Sequence, residues 1–152
     1  MTQDATIMRI NPALALQKPL ENYIQYLEKM TSRSVRLLDK MAVPGMRYSD
    51  QQHDVRGTDA ITEIFSRRFT DMSGLKFRVS DHAWGHRNQT VYLRWTATCM
   101  RDGVEDVTQG IAEVMFSNEG MVMSHADYMG ALYRAEKAAP SFFDKIKKNL
   151  GR

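Results

Sequence analysis

Apolar residues recur every three or four positions through the first half of the chain and at every second position through the second half. Leu20, Tyr23, Ile24 and Leu27 lie at helical spacing and predict a helix over about 19–30. Thr31 is placed to accept hydrogen bonds from the free amides of a new first turn, and Val35, Leu38 and Met41 continue a helical stripe that ends near Pro44-Gly45. A short extended stretch, 46–50, precedes Gly57-Thr58, which opens a third helix carrying Ile61, Ile64, Phe65 and Phe69 on one face and closing at Ser73-Gly74. The period then becomes two over 76–84, 89–100, 105–116 and 121–128, with turn-forming residues between these runs. Four strands joined by tight turns predict an antiparallel meander, followed by a helix over about 129–138 and a short last helix capped by Ser141 beyond Pro140. Helices gathered over one face of such a sheet give an α+β architecture, of which a cone enclosing a cavity is one form.

Length and charge narrow the class. The 152 residues suit one domain over 19–152 after an irregular lead, 1–18, and 43% hydrophobic residues supply a core. No apolar run approaches a bilayer span. The N-terminus lacks a basic segment followed by an apolar one, and Cys99 is the single cysteine, so a cytoplasmic protein without disulfides is expected. A net charge of +3, with 21 basic residues mixed among 18 acidic ones, argues against a nucleic-acid partner. His53, His82 and His86 are not at metal-ligand spacing, and the glycines are dispersed at turns rather than gathered in a phosphate loop. Neither metal nor cofactor is expected. Phe142, Phe143, Ile146 and Leu150 with Lys145, Lys147 and Lys148 form an amphipathic end whose ordinary use is to close the domain or pack on a partner rather than dock on a membrane.

The strand at 89–100 divides into Thr90, Tyr92, Arg94, Thr96 and Thr98 on one face and Val91, Leu93, Trp95, Ala97 and Cys99 on the other. If the polar face lines a cavity under the helices, the apolar outer face needs a cover, and a homodimer through that face would provide it. The opposite assignment puts the apolar face under the helices and Arg94 in solvent, and the pattern admits both. In the first assignment Arg94 would pair with Asp127, and Met121, Met123, His125 and Asp127 would share one strand face.

The segments 46–50 (Met-Arg-Tyr-Ser-Asp), 55–57 (Val-Arg-Gly), 91–95 (Val-Tyr-Leu-Arg-Trp), 110–114 (Gly-Ile-Ala-Glu-Val) and 124–128 (Ser-His-Ala-Asp-Tyr), in this order, resemble the SnoaL-like, polyketide-cyclase-like branch of the nuclear-transport-factor-2-like superfamily. The resemblance, running over about 20–150, implies a cone-shaped curved antiparallel sheet with N-terminal helices over its concave face. Similarity to the ketosteroid isomerases places Asp50 as a general base, Glu113 as an oxyanion donor and Tyr23 or Tyr26 as the first-helix tyrosine. Desolvation would raise the basicity of Asp50. Similarity to limonene-epoxide hydrolase brings Tyr48, Arg94, Thr96 and Asp127 into the cavity, but Thr96 stands where that enzyme's water-activating carboxylate would be, so epoxide hydrolysis is not expected. The resemblance implies a small apolar carbonyl ligand and cofactor-independent isomerase, cyclase or dehydratase chemistry. Asp50, His125 and Asp127 would then be the catalytic candidates, and Tyr48, Arg94, Thr96 and Glu113 the ligand-binding ones. A non-catalytic carrier and a dimeric interaction module are the alternatives.

Overall fold

Leu20, Tyr23 and Leu27 are buried, as their spacing requires, on α2 (Gln17–Glu28), which follows the four-residue α1 (Pro12–Ala15). These elements belong to a computed structural model that describes residues 12–86 and 89–134. Helical structure thus begins inside the lead expected to be irregular. Each large apolar side chain removed from water on this face contributes about 1.5–3 kcal/mol before entropy is counted. The next segment, Ser34–Lys40, is a 3-10 helix rather than an α-helix. Its buried Val35 and Leu38 are three residues apart, the spacing that places side chains directly above one another at three residues per turn. Thr31 Oγ1 accepts from the amides of Arg33 and Ser34 at 3.3 and 3.1 Å, and the Tyr26 hydroxyl donates to the Val35 carbonyl at 2.8 Å, tying this segment to α2.

Strand β1 (Ala42–Ser49) turns through 50–53 into the short β2 (Asp54–Arg56), and Gly57 leads into α3 (Thr58–Asp71). Gly57 has φ +96°, a region that side chains with a Cβ rarely adopt, and its amide donates to the Met46 carbonyl at 2.8 Å. The helix therefore starts at a fixed point against β1. Strands β3 (Ser73–Trp84), β4 (Thr90–Arg101), β5 (Val104–Phe116) and β6 (Val122–Arg134) form the expected antiparallel meander. The full sheet has the order β2-β1-β6-β5-β4-β3, and β1 runs parallel to β6, so it is mixed rather than purely antiparallel. Register shifts in the β3–β4 and β5–β6 ladders bend the sheet.

The apolar face of β4 is the one under the helices. Val91, Leu93 and Trp95 are buried, whereas Tyr92 and Arg94 are exposed on the other side. The apolar stripes of α2 and α3 gain by meeting an apolar sheet face, which a face bearing Arg94 and three threonines would not supply. Two further expectations are corrected. Residues 129–134 continue β6 instead of forming a helix, because the β5 backbone from Asp106 to Gly110 is satisfied by pairing with Arg134 to Met129. Met123 does not share the face of His125: the ladder shifts between Phe116↔Val122 and Met115↔Ser124, and Met123 is 44% exposed. The last helix expected beyond Pro140, with its basic face, lies outside the described residues.

Gly110 sits across from Trp95 on the inner face. A Cβ at Gly110 would lie 2.5 Å from the Trp95 ring and 2.6 Å from the Tyr128 carbonyl, so glycine is what leaves room for the indole against β5.

Candidate functional site

The register of β1 against β6 assembles the site. Tyr48 pairs with His125 and Ser49 with Ala126, which brings Asp50, just past the end of β1, toward Asp127 in the middle of β6. Side chains two apart on a strand share a face, so Tyr48 and Asp50 on β1 and its turn converge with His125 and Asp127 on β6. From above, α2 contributes Tyr23 and α3 contributes Arg68.

A continuous set of hydrogen bonds joins these groups. The Tyr23 hydroxyl is 2.7 Å from His125 Nδ1, and His125 Nε2 is 2.9 Å from Asp127 Oδ1. The Tyr48 hydroxyl donates to Asp127 Oδ2 at 2.8 Å, lies 3.2 Å from Asp50 Oδ2, and accepts from an Arg68 guanidinium nitrogen at 2.5 Å. The same nitrogen donates to Asp50 Oδ2 at 3.0 Å. Asp50 Oδ1 accepts from the amides of Gln52 and His53 and meets His53 Nδ1 at 2.9 Å, an arrangement that closes the turn between β1 and β2. The Arg68 guanidinium lies 5.2 and 5.5 Å from the ring centres of Phe65 and Tyr48, a cation–π setting, near the C-terminal end of α3 where a cation is favoured.

The electrostatics follow from burial and these partners. Burial works to raise the Asp127 carboxyl, but the His125 ring, the Tyr48 hydroxyl and Arg68 outweigh it and hold the group below the usual carboxylate range. Asp50 behaves alike: burial pushes it up, and the Gln52 and His53 amides with the His53 ring bring it net downward. That corrects the expectation of a basicity raised by desolvation, since the turn amides stabilise the charged form more than the cavity penalises it. Burial raises Tyr23 and Tyr48, so both remain neutral hydroxyls. For Arg68, burial is the largest influence and lowers it, but Tyr48, Asp127 and Asp50 more than offset this and keep it charged.

A cavity of about 460 Å³ opens beside this cluster. Asp50, Arg68, His125 and Asp127 lie on its wall, and Phe65, Phe69, Phe77, Trp95, Leu27 and Met72 make much of the rest apolar. The wall also carries Glu28, Arg67, Asp71, Arg101 and Asp106, so the cavity offers a small molecule an apolar surface bordered by charged groups. Among the described residues no cluster of three or more His, Cys, Asp or Glu could hold a metal ion.

Of the residues singled out from the sequence, the structure brings together Tyr23, Tyr48, Asp50, His125 and Asp127, while Tyr26 bonds the Val35 carbonyl instead. It does not bring Arg94, Thr96 or Glu113 to them. Arg94 is exposed, and Thr96 and Glu113 are half-buried on the outer face, because the apolar face of the sheet was the one taken by the helices. The cation beside Asp127 is Arg68 instead of Arg94. Sequence reasoning missed Arg68, although it falls on the same helical face as Ile61 and Phe65, seven and three residues before it. It also missed His53, set aside once no metal spacing was found.

An α+β cone with a helix-covered, mixed sheet and a polar cluster at one end of its cavity defines the class of nuclear-transport-factor-2-like proteins. The SnoaL-like domain model matches residues 23–125, more than half of the chain, and the protein belongs to that family. Similar solved structures include an NTF2-like protein of unknown function from Exiguobacterium sp. 255-15 (TM-score 0.64, 15% identity, 74% of this chain and 98% of that one). A protein provisionally named a SnoaL-like polyketide cyclase, from Jannaschia sp. CCS1, superposes with a TM-score of 0.63 at 12% identity, covering 76% of this chain and 87% of that one. A hypothetical protein with a ketosteroid isomerase-like fold from Catenulispora acidiphila DSM 44928, in complex with trimethylamine, gives 0.60 at 10% identity over 73% and 84% of the two chains. At these identities the likeness is one of fold. No curated protein matches the chain.

Proposed function

We propose that the protein binds a small, largely apolar carbonyl compound in this cavity and moves a proton on it without a cofactor. One observation carries the reading: an ionised carboxylate, Asp127, stands on the wall of an otherwise largely apolar cavity with a guanidinium and a neutral tyrosine hydroxyl beside it. Its partners hold Asp127 ionised at the cost of basicity, so abstraction of a proton from the carbon next to a carbonyl relies on a neighbouring cation to offset the negative charge that develops on oxygen. Asp127 is the better acceptor of the two carboxylates. Asp50 uses one oxygen on two turn amides and His53 and the other on Arg68, whereas Asp127 accepts one bond at each oxygen. His125 has both ring nitrogens engaged, so it orients Asp127 rather than meeting the ligand.

The test is exchange of carbonyl-adjacent hydrogen for deuterium in D2O, followed by NMR over a panel of steroid-like, terpenoid and polyketide-like ketones. The wild-type protein should accelerate exchange in at least one, and Asp127→Asn should lower that rate by about 10²–10⁴-fold. A variant as active as the wild type refutes the role given to Asp127.

A non-catalytic carrier is the second reading, and a specific feature favours it: the hydrogen bonds of the cluster close on one another, as in an ion-pair network that only shapes a pocket. Binding without exchange would select it. For either reading we propose a homodimer through the outer sheet face, where Tyr92, Ile111, Met123 and Tyr128 are 41–61% exposed.

A further inference from the structure

We infer that Tyr48 is a proton relay between Asp127 and Asp50, so that the two carboxylates work as a single proton-sharing pair. This rests on the proton-transfer reading above and extends it to the fate of the proton.

The geometry at the Tyr48 oxygen carries the inference. That oxygen receives a hydrogen bond from Arg68, which leaves its single hydrogen to be given to one of two carboxylate oxygens, Asp127 Oδ2 at 2.8 Å or Asp50 Oδ2 at 3.2 Å. A phenol has one hydrogen to donate, so both acceptors cannot be served at once. With both carboxylates ionised, the hydrogen goes to Asp127, the shorter contact, while Arg68 serves Asp50. When Asp127 gains a proton at Oδ2, it becomes a donor toward the Tyr48 oxygen and the tyrosine hydrogen swings to Asp50. Transfer then completes in two linked moves: the Asp127 proton passes to the Tyr48 oxygen, and the Tyr48 hydrogen passes to Asp50 Oδ2. One O–H bond breaks and one forms at each step, Asp127 is ionised again, and Tyr48 ends neutral as it began. No oxidant or co-reactant is needed. The proton has moved from a carboxylate held between His125 and Tyr48 to one in the turn that also bears His53, whose side chain is 37% exposed.

The other groups facing Tyr48 fit this role. On α3, Arg68 stays charged and fixes the oxygen by its hydrogen bond. On β6, His125 lies with its ring centre 5.4 Å from that of Tyr48 and bonds Asp127, not the hydroxyl. Tyr23, on α2, bonds His125. His53 on the turn bonds Asp50. No second hydroxyl among these bridges the two carboxylates.

The experiment is a carboxyl-carbon NMR titration of ligand-free protein labelled with carbon-13 at aspartate, in the wild type, Tyr48→Phe and Asp50→Asn. In the wild type, the Asp50 and Asp127 resonances should each show two steps at the same two pH midpoints, because the proton belongs to the pair. In Tyr48→Phe each should lose the shared second step, and Asp127, having lost a donor, should bind its proton about tenfold more tightly. In Asp50→Asn, Asp127 should titrate in one step, which keeps the question decidable if Tyr48→Phe does not fold. Independent single-step curves in the wild type, or paired steps that persist in Tyr48→Phe, would overturn the relay. Since no ligand or turnover is involved, loss of the relay leaves the proposed activity standing, and absence of activity leaves the relay open to confirmation by its own titration.

Discussion

Asp127 gathers His125, Tyr48 and Arg68 around one carboxylate, and its depressed proton affinity has a consequence for stability. Its proton affinity is lower in the folded than in the unfolded chain, so its contribution is fully present above the unfolded value of about 3.9 and is lost as pH falls through the lower folded value. Asp50 adds a loss of the same sign. Urea unfolding measured from neutral pH downward should therefore show stability falling below about pH 4, and Asp127→Asn should flatten that acid limb while lowering stability at neutral pH. An acid limb unchanged by the substitution would show that Asp127 is not held in its charged form by these partners. At this scale the nearness of His125 and Asp127 was legible, because residues two apart on a strand share a face. Arg68 was not, since an arginine on a helix reads as solvent-facing unless its place on the Ile61–Phe65 face is weighed. Nor was the direction for Asp50, which is decided by two turn amides that no side-chain pattern reveals.

The elements were legible where period and length were strong: α2, α3 and the four strands of the meander stand close to where apolar spacing puts them. The errors came where spacing was ambiguous or pairing overrode it. A three-residue interval served a 3-10 turn at Ser34–Lys40, and β6 ran on past Tyr128 because β5 offered it unpaired backbone. Parallel pairing of β1 with β6 left no trace in local sequence, yet it is this register that places Tyr48 beside His125. The join between β1 and α3 is correspondingly sensitive. Gly57→Ala places a Cβ at φ +96° and should cost about 1–3 kcal/mol, read as a lower midpoint in thermal unfolding, and should loosen the Arg68–Tyr48 contact. A midpoint equal to that of the wild type would mean the backbone there relaxes freely.

On the scale of the whole molecule, the sequence pointed to the cone and left the two sheet faces undecided. The choice was made by the apolar stripes of α2 and α3, which claim the face with Val91, Leu93 and Trp95 and leave Tyr92, Ile111 and Tyr128 outside. If that outer face is a dimer interface, Ile111→Glu should shift the protein from dimer to monomer in sedimentation or light scattering without unfolding it; a monomeric wild type would remove the proposal. The central claim concerns the other face, that its cavity receives a small apolar carbonyl compound. The most direct measurement is thermal unfolding of the wild type and of Ala97→Phe, which fills the cavity from β4, against a panel of such compounds. A ligand at about 100 times its dissociation constant stabilises by about 2.7 kcal/mol, a rise of roughly 5–10 °C for a domain of this size. The account predicts such a rise for at least one compound with the wild type and its loss in Ala97→Phe; no rise with any compound, or a rise that survives the filled cavity, would contradict it.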